Sequence, residues 1–252
     1  MKRIRSYLRR TPLLYVWGWT KRFFVRPRSQ NDEAEILDIL VANYRIPRTF
    51  VEFGFGAWEF NCAGLVADFD GLLIDGDQRN VRYARIVLPR NIRCESQWLD
   101  IDHLDLIRQF AQEKPLGILS VDVDGNDYWL LRALIDLNPA LIIVEYNASF
   151  GLRPVTVPYD PAFRRFEKHP DGWYYGASLA AMNYLCSQHG YSLVALSSNN
   201  VNAFFLRGDL RDPKQTSSDI YEDCAPLVRK LQAAPDSEVF SLPLVDVTQD
   251  AD

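Results

Sequence analysis

Four apolar runs in this chain end on an acid: 49–52 on Glu52, 71–75 on Asp75, 117–122 on Asp122 and 141–145 on Glu145. Each run is short and rich in residues that favour strands. Three of them lead into sequence of helical periodicity, so the pattern reads as buried strand followed by helix. Parallel strands that alternate with helices put their C-terminal ends on one edge of the sheet, where ligands of open α/β sheets bind. An edge carrying four carboxylates favours a cationic ligand, a metal ion or both, and repels a pyrophosphate.

The rest of the body follows the same alternation. Helical spacing over 32–44 (Ile36, Leu37, Ile39, Leu40, Val41) begins with Asp32-Glu33, which supplies negative charge to its first turn. A strand over 48–52 leads into Gly54-Phe55-Gly56 and a helix over 58–67. The strand 71–75 turns at Gly76 into a helix over 78–87, closed by Pro89. Then come a short strand 91–94, a helix 101–112, the strand 117–122, a helix 126–137 closed by Asn138-Pro139, and the strand 141–146. After the irregular stretch 148–176, with Pro154, Pro158, Pro161, Pro170 and many aromatics, a helix over 177–189 ends at Gly190. Two strands follow, 191–196 and 203–207, separated by Ser197-Ser198-Asn199-Asn200. The expected fold is α/β: a Rossmann-like doubly wound sheet, mostly parallel, with a closing antiparallel β-hairpin. The long irregular stretch reads as a lid or substrate loop.

At 252 residues the chain suits one large α/β domain. It divides into a basic arm (1–30), the α/β body (31–210) and a C-terminal helix and tail (211–252), with the helix at 217–234 and an extended tail at 237–247. Cys62, Cys94, Cys186 and Cys224 form no C-x-x-C pair, so they read as reduced residues of a cytoplasmic protein rather than a disulfide frame or zinc site. Residues 1–31 hold nine Lys or Arg and no acid, leaving 19 basic against 33 acidic side chains in the remainder. So acidic a body argues against a nucleic-acid partner. In the arm, basic residues interleave with Trp17, Trp19, Phe23 and Phe24, and the apolar stretch 12–19 is too short to span a bilayer. This pattern fits a helix lying on an anionic membrane surface through residues 1–26, peripheral at its inner face. It fits equally an arm packed on the body or on a second subunit of a homo-oligomer.

The first turn distinguishes between cofactors. A dinucleotide fingerprint needs G-x-G-x-x-G, and Glu59 stands where the third small residue belongs. An acid there also opposes a pyrophosphate at a helix N-terminus. S-adenosylmethionine, with its sulfonium and ammonium groups, suits nearby carboxylates. Asp75, 23 residues beyond Glu52 at the end of the next strand, is placed for a ribose diol.

The segments E-F-G-F-G (52–56), L-L-I-D-G-D (72–77), L-S-V-D-V-D-G-N-D-Y-W (119–129) and I-I-V-E-Y-N-A-S-F (142–150) resemble class I S-adenosylmethionine-dependent methyltransferases, nearest the FkbM-type branch. Y-G-A-S-L (175–179), with the later G-Y-S-L-V and N-A-F-F-L-R, is similar to relatives of that branch associated with glycan biosynthesis. The resemblance covers about residues 48–210 and departs from the family in one respect: Ala57-Trp58 stands where a third glycine is common. It implies a methyltransferase acting on a sugar or glycan hydroxyl. Glu52, Gly54 and Gly56 would lie around the methionine part, Asp75 at the ribose, and Trp98 and Asp100 at the adenine, with Gly76 a further cofactor-binding candidate. Asp100 read without the resemblance is a cap for a helix starting at 101.

Asp122, Asp124, Asn126 and Asp127 crowd the turn after the fourth long strand, and Glu145 and Asn147 follow the next. Capping needs one such residue, not several, and crowded carboxylates raise one another's pKa. O-methyl transfer needs a general base or a cation that acidifies the hydroxyl. Asp122, Asp124, Glu145, Asn147, His169 and Tyr175 are the catalytic candidates, and Asp122, Glu145 and Asn147 are oxygen ligands of the kind Mg2+ takes. Tyr159, Trp173, Tyr174 and Tyr175 offer rings to a sugar, and Ser178 a hydroxyl. A fold of this kind that binds partners without turnover remains the second reading, motivated by the altered first turn. A nicotinamide oxidoreductase is disfavoured by Glu59 and the acidic edge.

Overall fold

The computed structural model describes residues 27–211 and 240–249. The basic arm, Cys224 and the helix expected at 217–234 lie outside the described residues, as does the start of the tail.

Seven strands form the central sheet: β1 (Thr49–Phe53), β2 (Asp70–Asp75), β3 (Ile92–Ser96), β4 (Ile118–Val121), β5 (Leu141–Glu145), β7 (Tyr191–Leu196) and β8 (Asn202–Arg207). Their order is β3-β2-β1-β4-β5-β8-β7. The first five are parallel, β8 runs antiparallel to β5, and β7 closes the hairpin on β8. This is the mostly parallel doubly wound sheet with a reversed hairpin that the sequence implies. The order reverses between β1 and β4, so a crevice opens above that junction at the strands' C-terminal ends. All four acid-ended runs have their ends there. A small second sheet pairs β6 (Val155–Thr156) with β9 (Val245–Asp246).

Both faces of the sheet are covered. Val51, Leu72, Leu119 and Ile142 pack with α3 (Asp105–Glu113), α4 (Asp127–Leu134) and α6 (Leu179–Gln188). Phe50, Leu73, Ile118 and Ile143 pack with α1 (Glu33–Asn43), α2 (Gln78–Val87) and a short 3-10 helix, Asn61–Leu65. Side chains cap two helices, one of them that of Ser178, whose hydroxyl was expected to face a sugar. Asp77 caps α2 by accepting from the Arg79 amide, and Ser178 caps α6 by accepting from the Ala181 amide. Ser178 is fully buried in that role.

Two expected helices differ. The helix at 58–67 is replaced by a closed turn and the 3-10 segment. Gly56 and Glu59 exchange backbone hydrogen bonds (3.0 and 2.9 Å), folding the chain back before a helix can start. The buried carboxylate of Glu52 then takes the amides of Asn61 (2.7 Å) and Cys62 (2.8 Å). The helix expected from 101 begins at Asp105 instead. Asp100 accepts from the amides of Asp102 and His103, with side chain and carbonyl respectively, and so makes a turn rather than a cap.

Glu52 belongs to a buried polar chain. Asn61 donates to Ser120 Oγ (3.1 Å), and Asn202 donates to Asn61 Oδ1 (3.3 Å) and to Glu33 Oε1 (3.1 Å). The chain links β1, β4, β8, the 3-10 helix and the start of α1. Replacing Glu52 by Ala strands two buried amides, and hydrogen bonds to a charged acceptor contribute about 1.5–3 kcal/mol each. The Glu52→Ala variant is therefore expected to lose about 2–4 kcal/mol of stability, read as a lower urea midpoint at unchanged slope.

Candidate active site

A cavity of about 780 Å³ occupies the crevice. Its floor is the strand edge and its roof is the segment 163–167, which includes the short helix α5 (Arg165–Lys168). Two halves meet in it.

The first half is built on β1 and β2. Gly54 has φ +80°, and a Cβ there would lie 1.3 Å from the Asp122 carbonyl oxygen, so only glycine fits where this turn crosses the end of β4. Asn80 from α2 props the turn, accepting from the Ala57 amide (2.9 Å) and donating to the Phe55 carbonyl. Asp75 lines the cavity, with Oδ1 accepting from the Asp77 amide at 2.6 Å. Burial holds its carboxyl above the usual range, against the Asp77 amide and Asn80. At Gly76 a Cβ would meet the Trp98 ring at 2.7 Å, so the indole lies flush against the β2 turn.

The second half is built on β4 and β5. Asp122, Asp124 and Glu145 line it. Asp122, Asp127 and Glu145 each bring a carboxylate oxygen within 4.8 Å of the others. Burial first, then mutual repulsion, pushes Asp122 and Glu145 well above the ordinary carboxylate range. Hydrogen bonding toward Glu145 pulls Asp122 back down, more weakly than burial raises it. Glu145 is 6% exposed, and its Oε2 finds no hydrogen-bond donor among the described residues. Asp124 adopts the left-handed conformation (φ 57°) and pairs with Arg165 at 2.5 Å.

Several expected residues have other work. Glu52 is 1% exposed and does not line the cavity; its two oxygens hold the 3-10 helix. Gly56 lines the cavity, but Asp100 does not: it contacts the His103 ring at 2.7 Å. Asn147 is buried with its amide committed, donating to the carbonyls of Trp173 and Tyr175 and accepting from the Ser149 amide. It fastens the substrate loop. His169 lies outside the cavity wall and accepts from the Asp171 amide. Tyr175 is buried beneath the Arg165 guanidinium, 3.5 Å from its ring centroid, and Tyr174 donates to the Pro243 carbonyl. Tyr159 accepts from the Ile101 amide through its hydroxyl. The loop aromatics thus mostly pack the loop down. Asn126 does not cap α4; it donates to the Asp160 carbonyl (2.8 Å). Asp127 instead closes that turn, accepting from the amides of Val123 (2.8 Å) and Gly125 (2.9 Å).

The cavity residues that sequence reasoning passed over sit in the roof. Phe163, Arg164, Arg165 and Phe166 all line the cavity. The Arg164 guanidinium stacks on the Trp98 ring at 3.7 Å, and the Trp98 indole N–H donates to the Pro161 carbonyl (2.8 Å). Phe166 is 71% and Trp98 49% exposed. The available signal was a pair of arginines between two phenylalanines, inside a loop facing an acidic edge.

No protein-family model matches the chain, and no curated protein does. Among solved structures it is similar to the N-terminal domain of EvdMO1 with SAH bound, at 16% identity and a TM-score of 0.45, over 69% of this chain and 79% of that one. It is also similar to cofactor-bound Rv0187 from MTB, at 14% identity and TM-score 0.47, over 81% and 96%. A third is magnesium protoporphyrin IX methyltransferase from Synechocystis PCC 6803 with bound SAH, at 14% identity and TM-score 0.45, over 82% and 98%. At such identities and TM-scores, the functional reading rests on the cavity's own residues.

Burial lifts Glu52 from 4.5 to about 7, and Asp127 from 3.8 to about 6. The fold favours the neutral forms, so the stability these two groups contribute is complete below their ordinary values. It is lost as pH rises through about 6 and then about 7. The urea midpoint is therefore expected to fall between pH 5 and pH 8, and a midpoint that rises steadily over this window would contradict the assignment.

Proposed function

We propose that the chain is an S-adenosylmethionine-dependent methyltransferase that methylates oxygen. The observation that carries this reading is the pairing, in one crevice, of a glycine turn that admits no side chain with a carboxylate at the end of the next strand. An adenosine-bearing cofactor fits the first half. A carboxylate offers about four lone-pair sites, so Asp75 keeps acceptor capacity for a ribose diol beyond the Asp77 amide and Asn80. Gly76 leaves the Trp98 ring flush beside it for a purine. The backbone of Gly54 and Gly56 lines the adjoining wall, and the acidic edge suits a sulfonium. When bound, the cofactor supplies an electrophilic methyl group.

The chain's own residues supply the acceptor chemistry. The Asp122–Glu145 pair, both members of which line the cavity, receives the proton of the acceptor hydroxyl. Burial and like charge make this pair basic enough for the task near neutral pH. Segment 163–167 lines the crevice opposite the strand edge. The exposed ring of Phe166 at the rim suits a sugar ring, which favours a glycan hydroxyl as acceptor.

Mg2+ fits this donor set poorly. Of the expected ligands Asn147 does not line the cavity, and the Arg165 guanidinium already stands 3.9 Å from Glu145 Oε1. No step is routed through a metal here.

S-adenosylhomocysteine is expected to bind in calorimetry and to raise the melting temperature. Asp75→Ala should weaken that binding by about 10–100-fold with the fold retained; wild-type protein that takes up no heat would sink the reading. Among the described residues no helix is long and apolar enough to cross a membrane. The basic, aromatic arm nonetheless supports peripheral contact. Cosedimentation with phosphatidylserine vesicles is expected for the full chain, weakening in high salt, and its persistence after removal of residues 1–26 would contradict an arm-borne contact.

A further inference from the structure

The acidic edge already carries a cation of its own. Arg165 pairs with Asp124 at 2.5 Å and reaches Glu145 Oε1 at 3.9 Å. Its position is fixed from two further sides: Nε donates to the Gly172 carbonyl (2.8 Å), and the guanidinium lies 3.5 Å over the Tyr175 ring. Tyr175 is in turn held by its carbonyl to Asn147, the residue expected to ligate a metal. Asn147 thus supports the platform on which the arginine rests. The guanidinium is only 24% exposed as a side chain, so it is a built component of the wall rather than a surface group that happens to reach over.

We propose that Arg165 is a positioning residue that occupies the charge-balancing place of a divalent cation at this edge, orienting Glu145 and excluding metal from Asp122 and Glu145. A planar guanidinium supplies fixed donors to carboxylates and stacks on an aromatic face, which a hydrated ammonium does less well. A divalent ion needs several oxygens at once, whereas the arginine already balances the charge of two carboxylates, Asp124 and Glu145. The role of this arrangement in turnover rests on the methyl-transfer reading; the competition between arginine and metal does not.

That competition is directly measurable with Mn2+ as the probe, by electron paramagnetic resonance and calorimetry on the full chain. Wild-type protein is expected to bind Mn2+ weakly. Arg165→Ala should bind it at least about tenfold more tightly, and adding Glu145→Gln should abolish the gain. Arg165→Lys should restore part of the exclusion through its charge, which a general loosening of the loop would not. Melting curves confirm that each variant is folded. Tight Mn2+ binding by the wild type that Asp122→Asn removes would overturn the proposal, and so would an Arg165→Ala protein with no gain. S-adenosylhomocysteine titrated into the same samples separates the two readings: if none binds, methyl transfer falls while the Mn2+ result still decides the place of Arg165.

Discussion

The carboxylate of Glu52 is the contact on which the rest of the site depends. It sits inside the sheet edge, gathers the amides of Asn61 and Cys62, and so forces the chain after the glycine turn into a tight return instead of a regular helix. That return leaves the backbone of Gly54 lying against the end of β4, close enough that no Cβ fits. The two halves of the cavity are therefore joined through main chain. A buried acid costs the fold something as it ionises, and here two amides and the adjoining Asn61–Asn202–Glu33 chain offset that cost.

The acidic edge sorts by depth. Asp127 is consumed by its own turn, Asp75 shares its acceptor capacity with a turn amide, and Glu145 retains an oxygen with no donor. Carboxylates this close persist because the roof segment brings positive charge to them. Arg165 answers Asp124 and Glu145, and Arg164 lies on Trp98 over the other half. Attraction between roof and floor thus draws the crevice together from both ends.

Much of the frame was legible in the chain. Strand runs, the parallel order, the closing hairpin and the site edge follow from apolar periodicity and punctuation, which act locally. Asp75, Gly54, Asp122 and Glu145 were legible because each stands at a strand end. What escaped were outcomes of long-range contact. Glu52 has the same position in its strand as a ligand-facing acid, but which way its carboxylate points is set by amides nine and ten residues on. Asn147 looks like a ligand until the carbonyls 26 and 28 residues later claim its amide. Arg165 lies in a stretch without periodicity, so its encounter with Asp124, 41 residues earlier, leaves no mark in spacing.

The two-residue pairing of β6 with β9 ties the crevice to a stretch of chain far from it. Val155 and Thr156 in the substrate loop are held by Val245 and Asp246, and Phe240, Leu242 and Leu244 pack against the loop's own core of Phe150, Phe163 and Tyr174. The loop is thus upholstered by a distant stretch of the same chain. Substitutions around residue 245, far from the crevice, therefore reach the posture of the loop that carries Phe163 and Arg165.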